Sequence, residues 1–261
     1  MLFRSHPLKF AVGLGVAAAK AGARLFPHSR VLEWQRDGGM HRLITTGGSI
    51  TAKRVVLATN GFTPDGLHKS FDRRIIPAIS NIVVTRPLTA AELSVDGPYN
   101  TTPCLNIRHL LTYYRLLPDN RLLLGERGDT TGKPEDGEAI KAMLTRRVGE
   151  LFPALRGAEI DYFWRGLVCM SRKLTPSLGR LEDDKSVYYG FGYHANGVNS
   201  APWAGRALAR AIGGSNSGEV SVPAVWRGLP PRMPPLGAWS RRLALRGAYA
   251  LYKRHDRQAE R

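Results

Sequence analysis

Residues 186–214 read SVYYGFGYHANGVNSAPWAGRALARAIGG, and this stretch decides the fold. Its aromatic and β-branched beginning, Ser186 to Phe191, predicts a strand. The glycine-rich residues 192–197 predict a tight turn after it. A helix is predicted from Pro202, because proline is favoured in the first turn of a helix. Its core-facing residues recur at helical spacing: Ala204, Ala207, Leu208, Ala211 and Ile212.

A strand, a glycine-rich turn and a helix in succession can form a binding site for a negatively charged ligand. The first backbone N–H groups of a helix have no intrahelical partner, and the helix dipole places positive potential there. Glycines let a ligand approach those groups. The alternative interpretation is a tight loop that merely joins a strand to a packing helix, and the residues alone leave both open. His194 lies in this turn and is the one histidine that we expect to be functional.

The residues before this stretch predict short strands around one N-terminal helix. The helix is amphipathic, extends from Pro7 to Ala21 and is followed by Gly22 at its C-cap. Turns are predicted at residues 37–39 and 47–48. The continuous apolar run Val55–Leu57 predicts a strand covered on both faces. The predicted strands are Ala23–Phe26, Val31–Gln35 and Ser49–Thr59, and His41–Thr45 leads to the second of these turns.

The middle of the chain predicts an antiparallel sheet with one helix. Thr112–Leu117 and Arg121–Gly125 flank a Pro-Asp-Asn turn and should pair as a hairpin. Glu138 to Phe152 predicts an amphipathic helix with Asp136 as its N-cap. Further strands are predicted at Ile82–Thr85 and Ile160–Trp164.

The composition is that of an ordinary globular protein with a strong basic excess. The 261 residues include 38 Lys and Arg against 21 Asp and Glu, a formal net charge of +17. Nine basic and two acidic residues fall in the tail from residue 227 to 261. Within this tail, Leu236 to Lys253 predicts a basic amphipathic helix. It could contact an anionic membrane surface or nucleic acid, although a solvated helix docked by its apolar side is the favoured interpretation.

Cysteine usage and the N-terminus exclude several classes of protein. Two cysteines, Cys104 and Cys169, exclude a disulfide-dense scaffold and a Cys-based zinc cluster. One disulfide is possible between them, but free thiols in a reducing cytoplasm are the favoured interpretation. No apolar run reaches the length of about 20 residues that spans a bilayer. The segment Gly13-Leu-Gly15-Val-Ala-Ala18 approaches a dinucleotide fingerprint, but no good strand precedes it, so a plain helix is favoured. A signal peptide is the remaining, less favoured interpretation of this segment.

Five collinear segments resemble the D-amino-acid-oxidase-like flavoproteins, and gamma-glutamylputrescine oxidase and glycine oxidase most of all. They are His6-Pro-Leu-Lys-Phe with Gly22-Ala-Arg-Leu-Phe and Val31; Ile50-Thr-Ala-Lys-Arg-Val-Val-Leu-Ala-Thr-Asn-Gly61; Tyr114-Arg-Leu-Leu-Pro-Asp-Asn-Arg121-Leu-Leu-Leu-Gly125; Trp164-Arg-Gly166 with Thr175-Pro-Ser-Leu-Gly-Arg180; and Tyr189-Gly-Phe-Gly192-Tyr-His-Ala-Asn-Gly197-Val with Gly205-Arg-Ala-Leu-Ala. The resemblance implies an α+β fold, in which an α/β FAD-binding part accompanies a substrate domain with an antiparallel sheet.

The resemblance also implies FAD as the cofactor and oxidation of the C–N bond of a small amine, either a polyamine or an amino-acid derivative. No specific nucleic acid and no metal site are implied. The residues that it places at the cofactor are Val31, Thr59, Asn60, Gly61, Gly192, Tyr193, His194, Asn196, Gly197 and Val198. Those that it places at the substrate are Tyr113, Tyr114 and Trp164; no catalytic residue is assigned.

Departures from the family pattern shape the remaining expectations. The chain starts after the family's G-x-G-x-x-G unit, so we expect an N-terminally truncated member that binds FAD poorly alone. Val168 stands where glycine oxidases carry an arginine for the substrate carboxylate, which argues against a simple α-amino acid. Leu123 aligns with the lysine used for oxygen activation in sarcosine oxidases.

The expected domain division follows the resemblance. Residues 1–62 and 165–218 belong to the FAD-binding part, residues 63–164 form the substrate domain, and residues 219–261 form the basic tail. Two alternatives stay open: a non-catalytic remnant without FAD, and a basic protein that binds nucleic acid or membranes.

Overall fold

The computed structural model describes residues 6–95, 101–129, 132–214, 220–235 and 238–259, which form two compact units. The first unit comprises residues 1–76 and 169–234, and the second comprises residues 77–168 and 235–261. The elements in chain order are α1 (Pro7–Lys20), β1 (Val31–Asp37), β2 (Met40–Thr45), β3 (Gly48–Ala52), β4 (Val55–Leu57), β5 (Ile76–Pro87), α2 (Ala90–Val95), β6 (Cys104–Leu105), β7 (Thr112–Leu116), β8 (Arg121–Asp129), α3 (Gly137–Leu151), β9 (Ile160–Met170), β10 (Ser177–Arg180), β11 (Val187–Phe191), α4 (Gly197–Gly213) and α5 (Ala238–Ala259).

The first unit holds two three-stranded sheets. One is antiparallel in the order β1-β2-β3, and its first hairpin turns at Gly38 and Gly39, which both have positive φ. The other has the order β10-β11-β4, with β11 antiparallel to β10 and parallel to β4. All five residues of β11 are buried, because apolar clusters cover both of its faces. One cluster includes Leu57 and Phe71, and the other includes Ala204 and Leu208 of α4.

The second unit is built on a five-stranded sheet in the order β6-β7-β8-β5-β9. The predicted hairpin is confirmed as β7 and β8, and Asn120 takes the left-handed conformation in its turn. Helix α3 covers one face of the sheet, where Leu144 and Val148 pack against Leu122 and Leu124 in a single core. The mixed fold predicted from the sequence is therefore confirmed, with an antiparallel sheet in this unit.

Helix α5 is tied into the second unit through its C-terminal half. Asp256 is buried and accepts hydrogen bonds from the backbone N–H groups of His109 and Leu110. The ring of Tyr252 stacks on His109 with a centroid distance of 5.0 Å. No helix in the part of the chain that the structure describes is long and apolar enough to cross a membrane.

Several predictions of local structure were wrong in detail. Residues 23–26 form no strand. Residues 49–59 form two strands in different sheets, because β3 pairs with β2 whereas β4 pairs with β11. Val56 is 41% exposed, so the apolar run is not covered on both faces. Asp136 does occupy the predicted N-cap position of α3, but its side chain makes no capping hydrogen bond.

Helix α4 begins five residues earlier than predicted. It starts at Gly197, so Pro202 lies inside the helix and not in its first turn. A proline there removes one backbone hydrogen bond, which would have gone to the carbonyl of Val198. The predicted apolar stripe is confirmed, since Ala204, Leu208 and Ala211 are buried.

Candidate functional site

Two turns meet at the carboxyl ends of the parallel strands β4 and β11. Asn60 follows β4 with a left-handed φ of 48°, and Gly192 follows β11 with a φ of 77°. The Gly192 N–H donates to Asn60 Oδ1 at 3.0 Å. Asparagine tolerates this left-handed conformation better than most residues, and glycine adopts it without strain. The two strand ends are therefore joined by a direct hydrogen bond between predicted site residues.

The turn after β11 leads straight into the N-terminus of α4. His194 and Ala195 also have positive φ, so three of the four residues from Gly192 to Ala195 are left-handed. The carbonyl of Asn196 accepts hydrogen bonds from the N–H groups of Asn199 and Ser200. The first turn of the helix carries no acidic residue. Its leading N–H groups and the helix dipole therefore present positive potential suited to a negatively charged ligand.

The remaining predicted cofactor residues lie in these two turns and at the start of α4, with the exception of Val31. Thr59 and Gly61 flank Asn60, and the Thr59 hydroxyl lies 2.7 Å from the Thr63 hydroxyl. Tyr193 is buried, whereas Asn196 is exposed and His194, Gly197 and Val198 are partly buried. Val31 stands apart from both turns in the topology, since it begins β1 and pairs with Thr45 in the other sheet.

Ser171 lies next to this turn, and the sequence analysis did not identify it. It is buried, and its Oγ lies 3.4 Å from His194 Nε2. A Cβ built on Gly192 would lie 3.9 Å from this same Oγ. No local sequence signal identifies Ser171, because 23 residues separate it from His194.

Burial raises the pKa of two titratable side chains near this turn. The pKa of the Cys169 thiol is raised to about 11 by burial. Burial likewise raises the pKa of Tyr193 to about 12. Cys169 is thus a protonated thiol at neutral pH, which makes it a poor nucleophile. The described residues contain no group of three or more His, Cys, Asp or Glu that could hold a metal ion.

The predicted substrate residues all lie in the second unit, on its five-stranded sheet. The Tyr113 hydroxyl lies 2.9 Å from Ser80 Oγ, and its ring packs directly over Gly125. Burial raises the pKa of Tyr113, although the Ser80 hydrogen bond and Arg127 oppose this. Ser80 was missed by the sequence analysis, because its partner Tyr113 lies 33 residues further along the chain.

Tyr113 and Tyr114 point to opposite faces of this sheet, as successive residues of a strand must. Tyr114 packs in the core beneath α3, with its ring 5.0 Å from that of Phe152. Phe163 also packs in that core, so its neighbour Trp164 lies on the face of Tyr113. Trp164 is 44% exposed there. The structure thus brings Tyr113 and Trp164 to one face and places Tyr114 on the other.

The first unit has a sheet with a glycine-rich turn and a helix N-terminus at its strand ends, an arrangement that is suited to a nucleotide-like anion. The chain belongs to the family of FAD dependent oxidoreductases, whose model matches residues 3–211. This confirms the resemblance noted in the sequence, and FAD is the cofactor of this family.

Individual relatives agree with this assignment. The probable oxidoreductase OrdL of Haemophilus influenzae is 32% identical over 231 residues, which are 85% of this chain and 52% of the relative. Gamma-glutamylputrescine oxidoreductase of Escherichia coli is 31% identical over 211 residues, which are 80% of this chain and 48% of the relative. The chain therefore spans about half the length of these curated relatives.

Solved structures share the fold at lower identity. Glycine oxidase from Geobacillus kaustophilus superposes with a TM-score of 0.60 at 24% identity, covering 77% of this chain and 52% of that structure. L-proline dehydrogenase from P. horikoshii has a TM-score of 0.63 at 22% identity, covering 84% of this chain and 58% of that structure.

Proposed function

We propose that this chain forms the flavin-facing and substrate-facing parts of an oxidoreductase that oxidises the C–N bond of a small amine. The observation that carries the proposal is the hydrogen bond between Gly192 and Asn60. It fixes two turns at the carboxyl ends of adjacent parallel strands, the usual place for ligands in α/β sheets. Both turns fall within the residues matched by the family model.

The residues of these turns fit the flavin end of FAD. The donor set consists of backbone N–H groups at the start of α4, which suit the polar edge of a ring and favour negative charge upon it. Gly192 to Val198 would approach the ring, and Thr59 to Gly61 would face the ribityl and diphosphate region. Val31 would lie towards the adenine. Bound there, FAD would supply the acceptor for a hydride from the carbon next to the amine nitrogen.

The open face of the second unit's sheet would receive the amine. Tyr113 keeps its proton at neutral pH, because burial raises the pKa of its phenol. Its hydroxyl can therefore donate to, or accept from, a polar substrate group. The exposed ring of Trp164 offers an apolar surface for a carbon chain. Tyr114 supports the strand from the opposite face.

The substrate class that we favour is a polyamine derivative. Val168 supplies no charge for an α-carboxylate, and the sequence is 31% identical to gamma-glutamylputrescine oxidoreductase. The proposed substrates for testing are gamma-glutamylputrescine and putrescine, with glycine and L-proline as the comparison. Reduction of the flavin under anaerobic conditions, followed by its absorbance, measures the reaction without assuming that oxygen is the acceptor.

The test of the cofactor site compares Asn60→Gly with Asn60→Asp. Glycine keeps the left-handed backbone but removes the acceptor for Gly192, whereas aspartate retains an acceptor oxygen. We expect about tenfold weaker FAD binding for Asn60→Gly, from a loss of about 1.4 kcal/mol, and recovery in Asn60→Asp. Quenching of flavin fluorescence by the full chain measures this affinity.

Asn120→Gly is the matched control, because Asn120 has a φ of 59° in a hairpin turn of the other unit. It should leave FAD affinity unchanged. Equal FAD affinity in Asn60→Gly and the unmodified chain would refute the site. A chain that binds no FAD at all would instead refute cofactor binding by these residues alone and would support the non-catalytic alternative.

A further inference from the structure

A basic cavity lies in the first unit, against β10 and the segment 220–232. Its volume is about 650 Å³, which is within the range of small-molecule sites. Five cationic side chains line it, against the two carboxylates of Glu182 and Asp183. We call it the arginine cavity, after Arg74, Arg180, Arg227 and Arg232, which line it together with Lys185.

These five cations are not neutralised by carboxylates. In the described ranges, none of them forms an ion pair within 4.0 Å. Three of the arginines instead donate to backbone carbonyls. Arg74 binds those of Ser70 and Pro230, Arg227 binds that of Val222, and Arg232 binds that of Lys69. Such bonds hold a guanidinium in place but leave its positive charge uncompensated.

Crowding of like charges has an energetic consequence at Arg74. Burial lowers the pKa of its guanidinium, and the nearby charge of Arg232 lowers it further. An anion between the two arginines would remove this repulsion. Guanidinium groups match the oxygens of phosphates and carboxylates in a bidentate geometry, which makes clustered arginines well suited to such a ligand.

The rest of the lining indicates what else the ligand carries. Leu178, Val220 and Leu229 give the cavity an apolar part, and Tyr189 lies beside them. We infer that the arginine cavity binds a small phosphorylated anion, either a phosphate ester or a pyrophosphate, as a site separate from the flavin turns. An excess of three positive charges over the carboxylates favours a ligand with more than one negative charge.

The test is calorimetric titration of the full chain with inorganic pyrophosphate at constant ionic strength. We expect affinity in the micromolar to millimolar range, reduced about tenfold in Arg180→Gln and in Arg232→Gln. Arg180 has no hydrogen bond to a loop carbonyl among those described, so its variant tests the charge without disturbing the segment 220–232. Citrate, a carboxylate polyanion, should bind more weakly than pyrophosphate.

The control variant is Arg42→Gln, which makes the same charge change at an exposed position of β2. It should bind pyrophosphate like the unmodified chain. An equal loss in Arg42→Gln would mean non-specific attraction to a basic protein and would overturn the proposal. So would absence of pyrophosphate binding, or a preference for citrate. Displacement of pyrophosphate by riboflavin, which carries the flavin ring but no phosphate, would overturn the claim of a separate site.

Discussion

Asp256 is the residue whose removal tests how the basic C-terminal helix is held. Its Oδ1 accepts the N–H of His109 at 2.9 Å, and its Oδ2 accepts the N–H of Leu110 at 3.1 Å. Arg108 Nε lies 3.7 Å from Oδ2, and Asp256 is only 4% exposed. Burial alone would raise the pKa of this carboxyl, but the two N–H groups and Arg108 outweigh it and lower the pKa.

The expected cost of Asp256→Ala follows from these contacts. A hydrogen bond to a charged group contributes about 1.5–3 kcal/mol, and removing one partner of a buried pair costs about 3–5 kcal/mol. We therefore expect Asp256→Ala to lower the free energy of unfolding by about 3–5 kcal/mol. Asp256→Asn keeps one acceptor oxygen and should cost about half as much.

Urea denaturation followed by circular dichroism measures these differences. Asp119→Ala is the control, because Asp119 is an exposed aspartate in an ion pair with Arg121 and should cost less than about 1 kcal/mol. Hydrogen exchange at the amide of Leu110 should accelerate in Asp256→Ala and not in Asp119→Ala. Equal stability and equal exchange in the two variants would refute the anchoring role.

The same contacts predict that the free energy of unfolding depends on pH in the acid range. Because the folded-state pKa of Asp256 is lowered, its stabilisation is fully present above the unfolded-state value of 3.8. It is lost as the pH falls through the folded-state pKa. Asp256→Asn should therefore lose less stability than the unmodified chain over this acid range.

Two further predictions concern a close contact and a buried histidine. Gly125→Ala should cost about 1–3 kcal/mol, since its Cβ would lie 2.2 Å from Tyr113 Cζ. Gly166→Ala, whose Cβ would meet nothing within 4 Å, should leave the melting temperature nearly unchanged, and scanning calorimetry compares the two. Burial lowers the pKa of His41 below 6.5, so its stabilising contribution is complete above that pH and declines as the pH falls towards the folded-state pKa. His41→Gln should reduce the loss of urea resistance between about pH 7.5 and about pH 5.5, with His68 supplying a remaining effect of the same sign.

Local patterns predicted those elements whose cause is local. The hairpin at residues 112–125 follows from its turn, because Asn120 accepts the left-handed conformation that the turn requires. Helix α3 follows from its apolar stripe, which packs on the sheet through Leu144 and Val148. In both cases the side chains that decide the structure are within a few residues of one another.

Elements that depend on a distant partner were predicted poorly. The sequence from residue 49 to 59 looks like one strand, but its two halves pair with different partners. The N–H of Val55 donates to the carbonyl of Ser186, which brings β4 beside β11. The contact between Asn60 and Gly192 depends on this same pairing and spans 132 residues. Sequence patterns could therefore identify both turns as candidates, but not their meeting.

The formal net charge of +17 does not reveal which contacts the individual basic residues make. A basic excess attracts polyanions, which is why nucleic acid or a membrane surface was an open alternative. In the structure, several cationic side chains of the first unit donate hydrogen bonds to loop carbonyls instead. Lys173 binds the carbonyls of Arg227 and Gly228, and Arg172 binds that of Arg232. Because a carbonyl satisfies a donor without cancelling its charge, these contacts stabilise the segment 227–232 and leave the positive charges of the two side chains in place. These cations therefore have a structural role in the fold that does not require a nucleic acid.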